Sequence, residues 1–257
     1  ADVVAQAKAI PGKLNGILRL HFCQWTDAET AWISRKLWDS CVDPDMALDD
    51  FEGRPCWLGL DLSATKDLTG LALVFADGMA DDGRPKFALF ARGYTPGETL
   101  LARALTDKAD YPVWVREGWL HATPGPVVRY DQIAADVAEY AQRFDVQALA
   151  YDQWLIKTFE SALGECGVTL PLLEHPQGLN QRKGSPLWMP QSITSFEELI
   201  LEGRLRIEHN EAMNSAIGCA CFWESPSGLR RFVKQKATGR IDIALAATMA
   251  IGAATVD

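Results

Sequence analysis

A chain of 257 residues, 48% hydrophobic and 23% charged, has the composition of an ordinary folded domain, long enough for one large unit or two modest ones. Its formal net charge of −9 argues against a protein that coats nucleic acid by bulk attraction, because that affinity comes from neutralising phosphates with Lys and Arg. No apolar run approaches the roughly 20 residues that span a bilayer, and the start Ala1-Asp2-Val3-Val4 has no basic, apolar leader, so the chain reads as cytosolic with no membrane partner.

Residues 1–50 read as a linker or the tail of something upstream. Within them Ile17, Leu18, Leu20 and Phe22 suit a strand, and Trp32, Ile33, Leu37 and Trp38 recur at helical spacing. Such a piece either packs against the main body or belongs to the missing part. From Pro55 three strand-like runs follow closely, Cys56 to Asp61, Thr69 to Ala76 and Lys86 to Tyr94, with turn-prone Asp77-Gly78 and Asp82-Gly83-Arg84-Pro85 between the last two. That spacing predicts an antiparallel meander. Pro96-Gly97-Glu98 opens a helical stretch, and a clearer helix is expected from about Asp131 to Phe144.

Val146 to Asp152 is the next strand, again apolar and again ending on an acid. Helices are expected at Leu155 to Cys166, Ser192 to Glu202 and Glu211 to Cys221, with a short strand at Val168 to Leu173 and a hairpin around Ser225-Pro226-Ser227-Gly228. Ile241 to Ala253 is Ala-rich and strongly helical, with Asp242 in its first turn. A meander followed by strands alternating with helices is a mixed α/β plan around a central sheet. The polar loop from Glu174 to Pro190 is the longest interruption and a candidate substrate-facing element.

Three acids stand out. An Asp flanked by core residues costs several kcal/mol unless it has a partner or a task. If the strand ending at Asp152 lies beside the one carrying Asp61, and the last helix packs across the sheet with Asp242 inward, three carboxylates converge at one end of the sheet. Each charge raises its neighbours' pKa, and divalent cations reverse that penalty. Hard oxygen donors suit Mg²⁺ or Mn²⁺, and two ions roughly 3.5–4 Å apart would serve phosphodiester hydrolysis. The bland readings are turn acids for Asp61 and Asp152, and helix-dipole preference for Asp242.

The basic residues cluster late, at Arg230, Arg231, Lys234, Lys236 and Arg240, with Arg182-Lys183 and Arg204 with Arg206 as smaller groups. Each group is either a phosphate contact or a solvated face. Asp67 either caps the turn after Ser63 or supports the ligands. His175 and His209 have no acid or nucleophile partner in sequence, and no nucleophile-elbow motif occurs, which disfavours covalent catalysis. The six cysteines lack any C-x-x-C pair and read as buried free thiols.

Trp57-Leu58-Gly59-Leu60-Asp61-Leu62-Ser63 with Asp67-Leu68-Thr69, then Ala150-Tyr151-Asp152-Gln153-Trp154, then Gly203-Arg204-Leu205 after an amphipathic helix, and finally Lys236-Ala237-Thr238-Gly239-Arg240-Ile241-Asp242 leading into Ala244-Leu245-Ala246 form an ordered set. In that order and spacing the chain resembles the C-terminal nuclease domain of tailed-bacteriophage terminase large subunits, a member of the RNase H-like superfamily. The resemblance implies a nuclease domain over residues 51–257, with Asp61, Asp152 and Asp242 as catalytic metal ligands for two Mg²⁺ or Mn²⁺ ions and Asp67 as a nearby acid. Arg182, Lys183, Arg231, Lys234, Lys236 and Arg240 are the candidate DNA contacts.

The resemblance further implies cutting of concatemeric double-stranded DNA during packaging in the host cytoplasm. Its implied partners are an N-terminal ATPase domain of the same polypeptide, a portal protein and a small terminase subunit. ATPase activity is not expected of this chain alone, since no G-x-x-x-x-G-K-[ST] occurs in it. Alternatives are another RNase H-like nuclease or resolvase, a noncatalytic docking module of the motor, and an actin-like phosphotransferase. The last wants glycine-rich phosphate loops after its acidic strands, which Leu62-Ser63-Ala64-Thr65 and Gln153-Trp154 do not supply.

Overall fold

The structure, a computed structural model, describes residues 32–63, 68–153, 156–234, 237 and 239–256. The strand expected at Ile17 to Phe22, and the residues Asp67, Trp154 and Lys236, lie outside the described residues.

Among the described residues the first elements are a short helix α1 (Arg35–Asp39) and a two-residue strand β1 (Val42–Asp43). The expected meander follows as β2 (Pro55–Asp61), β3 (Thr69–Met79) and β4 (Pro85–Pro96), paired antiparallel in sequence. Then come α2 (Leu100–Asp107), α3 (Tyr111–Arg116), β5 (Leu120–Thr123), α4 (Tyr130–Arg143), β6 (Asp145–Tyr151), α5 (Ile156–Glu165) and β7 (Leu172–Glu174). The last third holds α6 (Met189–Leu201), β8 (Leu205–Glu208), α7 (Glu211–Cys219), the hairpin β9 (Phe222–Glu224) and β10 (Arg230–Phe232), and α8 (Asp242–Val256). The main sheet runs β1-β8-β4-β3-β2-β6-β7, with β5 added along β4.

Central strands β2 and β3 are buried on both faces, which is why they read as continuous apolar runs without alternation. One face carries α4 and α5 over Leu58, Leu60, Phe75 and Phe90. The other carries α6, α7 and α8, with α8 buried from Asp242 to Ala254. A helix apolar all round has no solvent face to present, and α8 lies between the sheet and α6.

Its approach to the sheet is set by glycines. A Cβ on Gly59 would lie 2.1 Å from the Ala246 carbonyl oxygen, and one on Gly70 would lie 2.5 Å from that of Asp242. The helix backbone therefore rests directly on β2 and β3.

The stretch before residue 50 joins this body from Trp32 on. Trp38 is fully buried and donates to Asn214 Oδ1 of α7 at 2.7 Å, Phe51 packs into the core, and β1 pairs with β8. Of the described cysteines Cys41, Cys56 and Cys219 are buried, as expected, whereas Cys166 at the end of α5 is exposed. Among the described residues no helix is long and apolar enough to cross a membrane.

Candidate active site

Strands β2 and β6 run parallel with Leu60 level with Tyr151, so Asp61 and Asp152 emerge side by side from the same end of the sheet. On the other flank of β2, Gly70 of β3 pairs with Asp61, and Gly70 is the residue on which the first turn of α8 sits. One missing side chain thus lets Asp242 come down beside Asp61. The acids fall together by register and close packing, with no local motif holding them.

Asp61 and Asp242 are buried, 4% and 1% exposed. Between them stands Lys234, two residues beyond β10, whose Nζ lies 2.9 Å from Asp61 Oδ2 and 2.6 Å from Asp242 Oδ1. Burial opposes the Lys234 charge, and the two carboxylates outweigh it, holding the ammonium protonated well above its ordinary range. The other oxygen of Asp61, Oδ1, accepts from Gln177 Nε2 at 2.7 Å. Asp152 is half-buried and accepts from the Gln153 backbone N–H at 2.8 Å. Its carboxyl pKa is raised, chiefly by burial and further by the charge of Asp61.

Among the described residues no three His, Cys, Asp or Glu side chains already close on one point as a metal cage. What the structure does contain is a pair of buried carboxylates clasping a cationic nitrogen, with a third acid at the next strand end. Asp61 and Asp242 thus turn one oxygen each to a shared positive charge, with the Lys234 ammonium as the cationic stand-in, and hard carboxylate donors of this kind fit Mg²⁺ or Mn²⁺.

Of the expected DNA contacts, Lys234 is therefore directed into the acids. Arg182 is ion-paired with Glu174 and bonded to Gln153, which places it beside Asp152. Arg240 is bidentate on Asp107 of α2, at 3.0 Å for both bonds. Lys183 is exposed, and Arg231 is exposed over the Trp223 ring. Gln177 was not singled out in the sequence; nothing in the run His175-Pro176-Gln177 marks it beyond its place in the long loop after β7.

That loop is anchored at its root. The His175 N–H donates to the Tyr151 carbonyl at 2.8 Å, Met189 N–H donates to Pro176, and His175 Nε2 pairs with Ser192 Oγ at 2.7 Å. Both side chains of the pair are sealed in the core against Gly252, so the histidine and serine meet no substrate. Burial drops the His175 pKa from 6.5 to about 4. The folded protein then refuses a proton that the unfolded chain accepts. Stability is present in full above pH 6.5 and falls as pH drops towards 4, by about 3 kcal/mol in all. Urea midpoints at pH 7 and pH 4.5 should show that loss in the native protein and a smaller one in His175→Gln.

A mixed sheet whose adjacent strand ends and final helix bring acids together is the plan of an RNase H-like domain. The family model described as "Terminase large subunit, endonuclease domain" matches residues 1–257, and the chain belongs to that family. It is 36% identical over 256 residues to the terminase large subunit of Enterobacteria phage HK97, covering 98% of this chain and 48% of that protein. The crystal structure of the HK97 large terminase matches with a TM-score of 0.74 over 98% of this chain and 50% of that one.

The large terminase nuclease from thermophilic phage G20c with bound magnesium shares the fold, at a TM-score of 0.51 and 11% identity, over 88% of this chain and 98% of that one. The chain spans about half the length of the curated relatives it matches.

Proposed function

We propose that this chain is the metal-dependent DNA endonuclease of a phage packaging motor, cutting concatemeric viral DNA by two-ion hydrolysis of phosphodiester bonds. The observation that carries the reading is the clasp of a cationic group by two buried carboxylates, Asp61 and Asp242, beside the strand-end acid Asp152. Asp61, Asp152 and Asp242 would hold the ions. The magnesium in the G20c nuclease structure supports Mg²⁺ or Mn²⁺ as the cofactor.

Ions held by these acids would supply activation of a water and neutralisation of charge on the leaving oxygen. The protein's part is orientation. Gln177 holds Asp61 Oδ1 and leaves Oδ2 facing the cation position, while the seat on Gly70 fixes Asp242. Arg182, Lys183, Arg231, Lys236 and Arg240 would meet the phosphate backbone, a local attraction within a chain of net charge −9 that weakens with salt because each phosphate contact releases a counterion.

The partners proposed are double-stranded DNA, an N-terminal ATPase domain of the same polypeptide, the portal and the small terminase subunit, in the host cytoplasm. One observation favours a second reading: the Lys234 ion pairs also suit a structural clasp in a noncatalytic docking module. Supercoiled-plasmid cleavage separates the two. Nicking that needs Mg²⁺ or Mn²⁺, stops with chelator and disappears in Asp61→Ala is the expected result; retention of substantial cutting by Asp61→Ala removes the assignment.

A further inference from the structure

We infer that Lys234 occupies one of the two cation positions itself, and that a divalent ion enters between Asp61 and Asp242 by displacing its ammonium. The inference rests on the metal-dependent reading above and adds what sets the affinity of that site.

The three partners of the clasp are not equally fixed. Asp61 and Asp242 side chains are 5% and 2% exposed, whereas that of Lys234 is 39% exposed. Asp61 is held by the register of β2 and by Gln177 on Oδ1. Asp242 is held by the close seat of α8 on Gly70. The Lys234 side chain is the least enclosed: its backbone lies two residues beyond β10, and its four-carbon stem has solvent beside it.

An ammonium is a compact point charge that water solvates well, so hydration offsets part of what it loses on leaving, while the two carboxylates stay where the sheet puts them. The oxygens it vacates, Asp61 Oδ2 and Asp242 Oδ1, are the hard donors a divalent ion requires. Doubling the charge at that point favours the exchange, and breaking two charge-assisted hydrogen bonds opposes it. Gln177 keeps its hold on Oδ1 throughout, so Asp61 need not turn.

The lysine therefore lowers metal affinity while keeping the paired acids compensated. Replacing it with the apolar, similarly long methionine in Lys234→Met should tighten Mn²⁺ binding about tenfold, since a competing pair of charged hydrogen bonds is gone. Mn²⁺ binding to the full chain, read by the electron paramagnetic resonance signal of the free ion, measures this without DNA.

Tighter binding in Lys234→Met, with binding lost in Asp61→Asn, supports the displacement. Equal or weaker binding in Lys234→Met overturns it and leaves the nuclease reading intact, provided that Asp61→Asn still loses the ion. No Mn²⁺ binding by any form overturns both. If Lys234→Met fails to fold, amine acetylation of the native protein followed by mass spectrometry decides. Lys234 modification should rise on adding Mn²⁺, and an unchanged level overturns the proposal.

Discussion

Gly70→Ala is expected to lower stability and end DNA cleavage together. The added Cβ would lie 2.5 Å from the Asp242 carbonyl oxygen, 2.7 Å from its carbonyl carbon and 2.8 Å from Ile243 Cα. All three are backbone atoms of a buried helix, so no side chain can swing aside. Relief requires the start of α8 to lift off β3, and such overpacking costs about 1–3 kcal/mol, or roughly 3–10 °C in melting temperature for a chain of this size. Because Gly70 is the partner of Asp61 in the ladder, the same lift carries Asp242 away from Asp61. A misplacement of about 1 Å is enough to reduce a positioned reaction roughly 100-fold.

Gly164 in α5 is the matched control, with nothing within 4 Å of its added Cβ, so Gly164→Ala should hold or slightly raise the melting temperature and leave nicking unchanged. Thermal unfolding and plasmid nicking on both variants test the point. A Gly70→Ala protein as stable and active as the native one would mean that α8 does not depend on this seat.

The contrast between those two glycines shows where sequence reasoning reached and where it stopped. The meander β2–β3–β4, the strand β6 and the helices α4 to α8 were legible because each is a continuous apolar run or a helical repeat bounded by turn residues. The adjacency of Asp61 and Asp152 was a condition of the sequence argument and not a result of it, because two apolar strands that both end on an acid need not pair. The register of β2 with β6 supplies it. By contrast β1, β5 and β8 have two to four residues each and carry too little pattern to read. They form through pairing with β4 and with one another, which is a tertiary effect.

Gly70 looks like any strand glycine until the helix above it is placed. Gln177 reaches Asp61 by one side-chain bond from a loop, which leaves no periodicity to find. Lys234 was legible as part of a basic cluster, but a cluster does not say which way its ammonium points. The structure turns it inward to the acids.

Asp152 is the acid whose removal should spare the fold and still stop cleavage. Asn in its place keeps the shape and an oxygen for the Gln153 N–H, and removes a partly buried charge that Asp61 disfavours. Stability of Asp152→Asn is therefore expected to equal or slightly exceed that of the native protein, while metal-dependent nicking falls by about three orders of magnitude, as loss of a positioned electrostatic group does.

Asp61→Asn should behave otherwise. In the native site Asp61 accepts from Gln177 Nε2 with one oxygen and from Lys234 Nζ with the other. An amide has one accepting oxygen, so its NH₂ must face one of those donors, and the ion pair with the half-exposed Lys234 is broken at the same time. A loss of about 1–3 kcal/mol follows from leaving a buried donor unmatched, read as a lower urea midpoint with an unchanged slope. Both variants lose nicking, and only Asp61→Asn loses stability. Nicking retained by Asp152→Asn to within about tenfold of native would remove Asp152 from the ligand set, since a lost charge-stabilising group costs far more than that. Native-like stability in Asp61→Asn would instead show that Lys234 and Gln177 do not both depend on the Asp61 carboxylate.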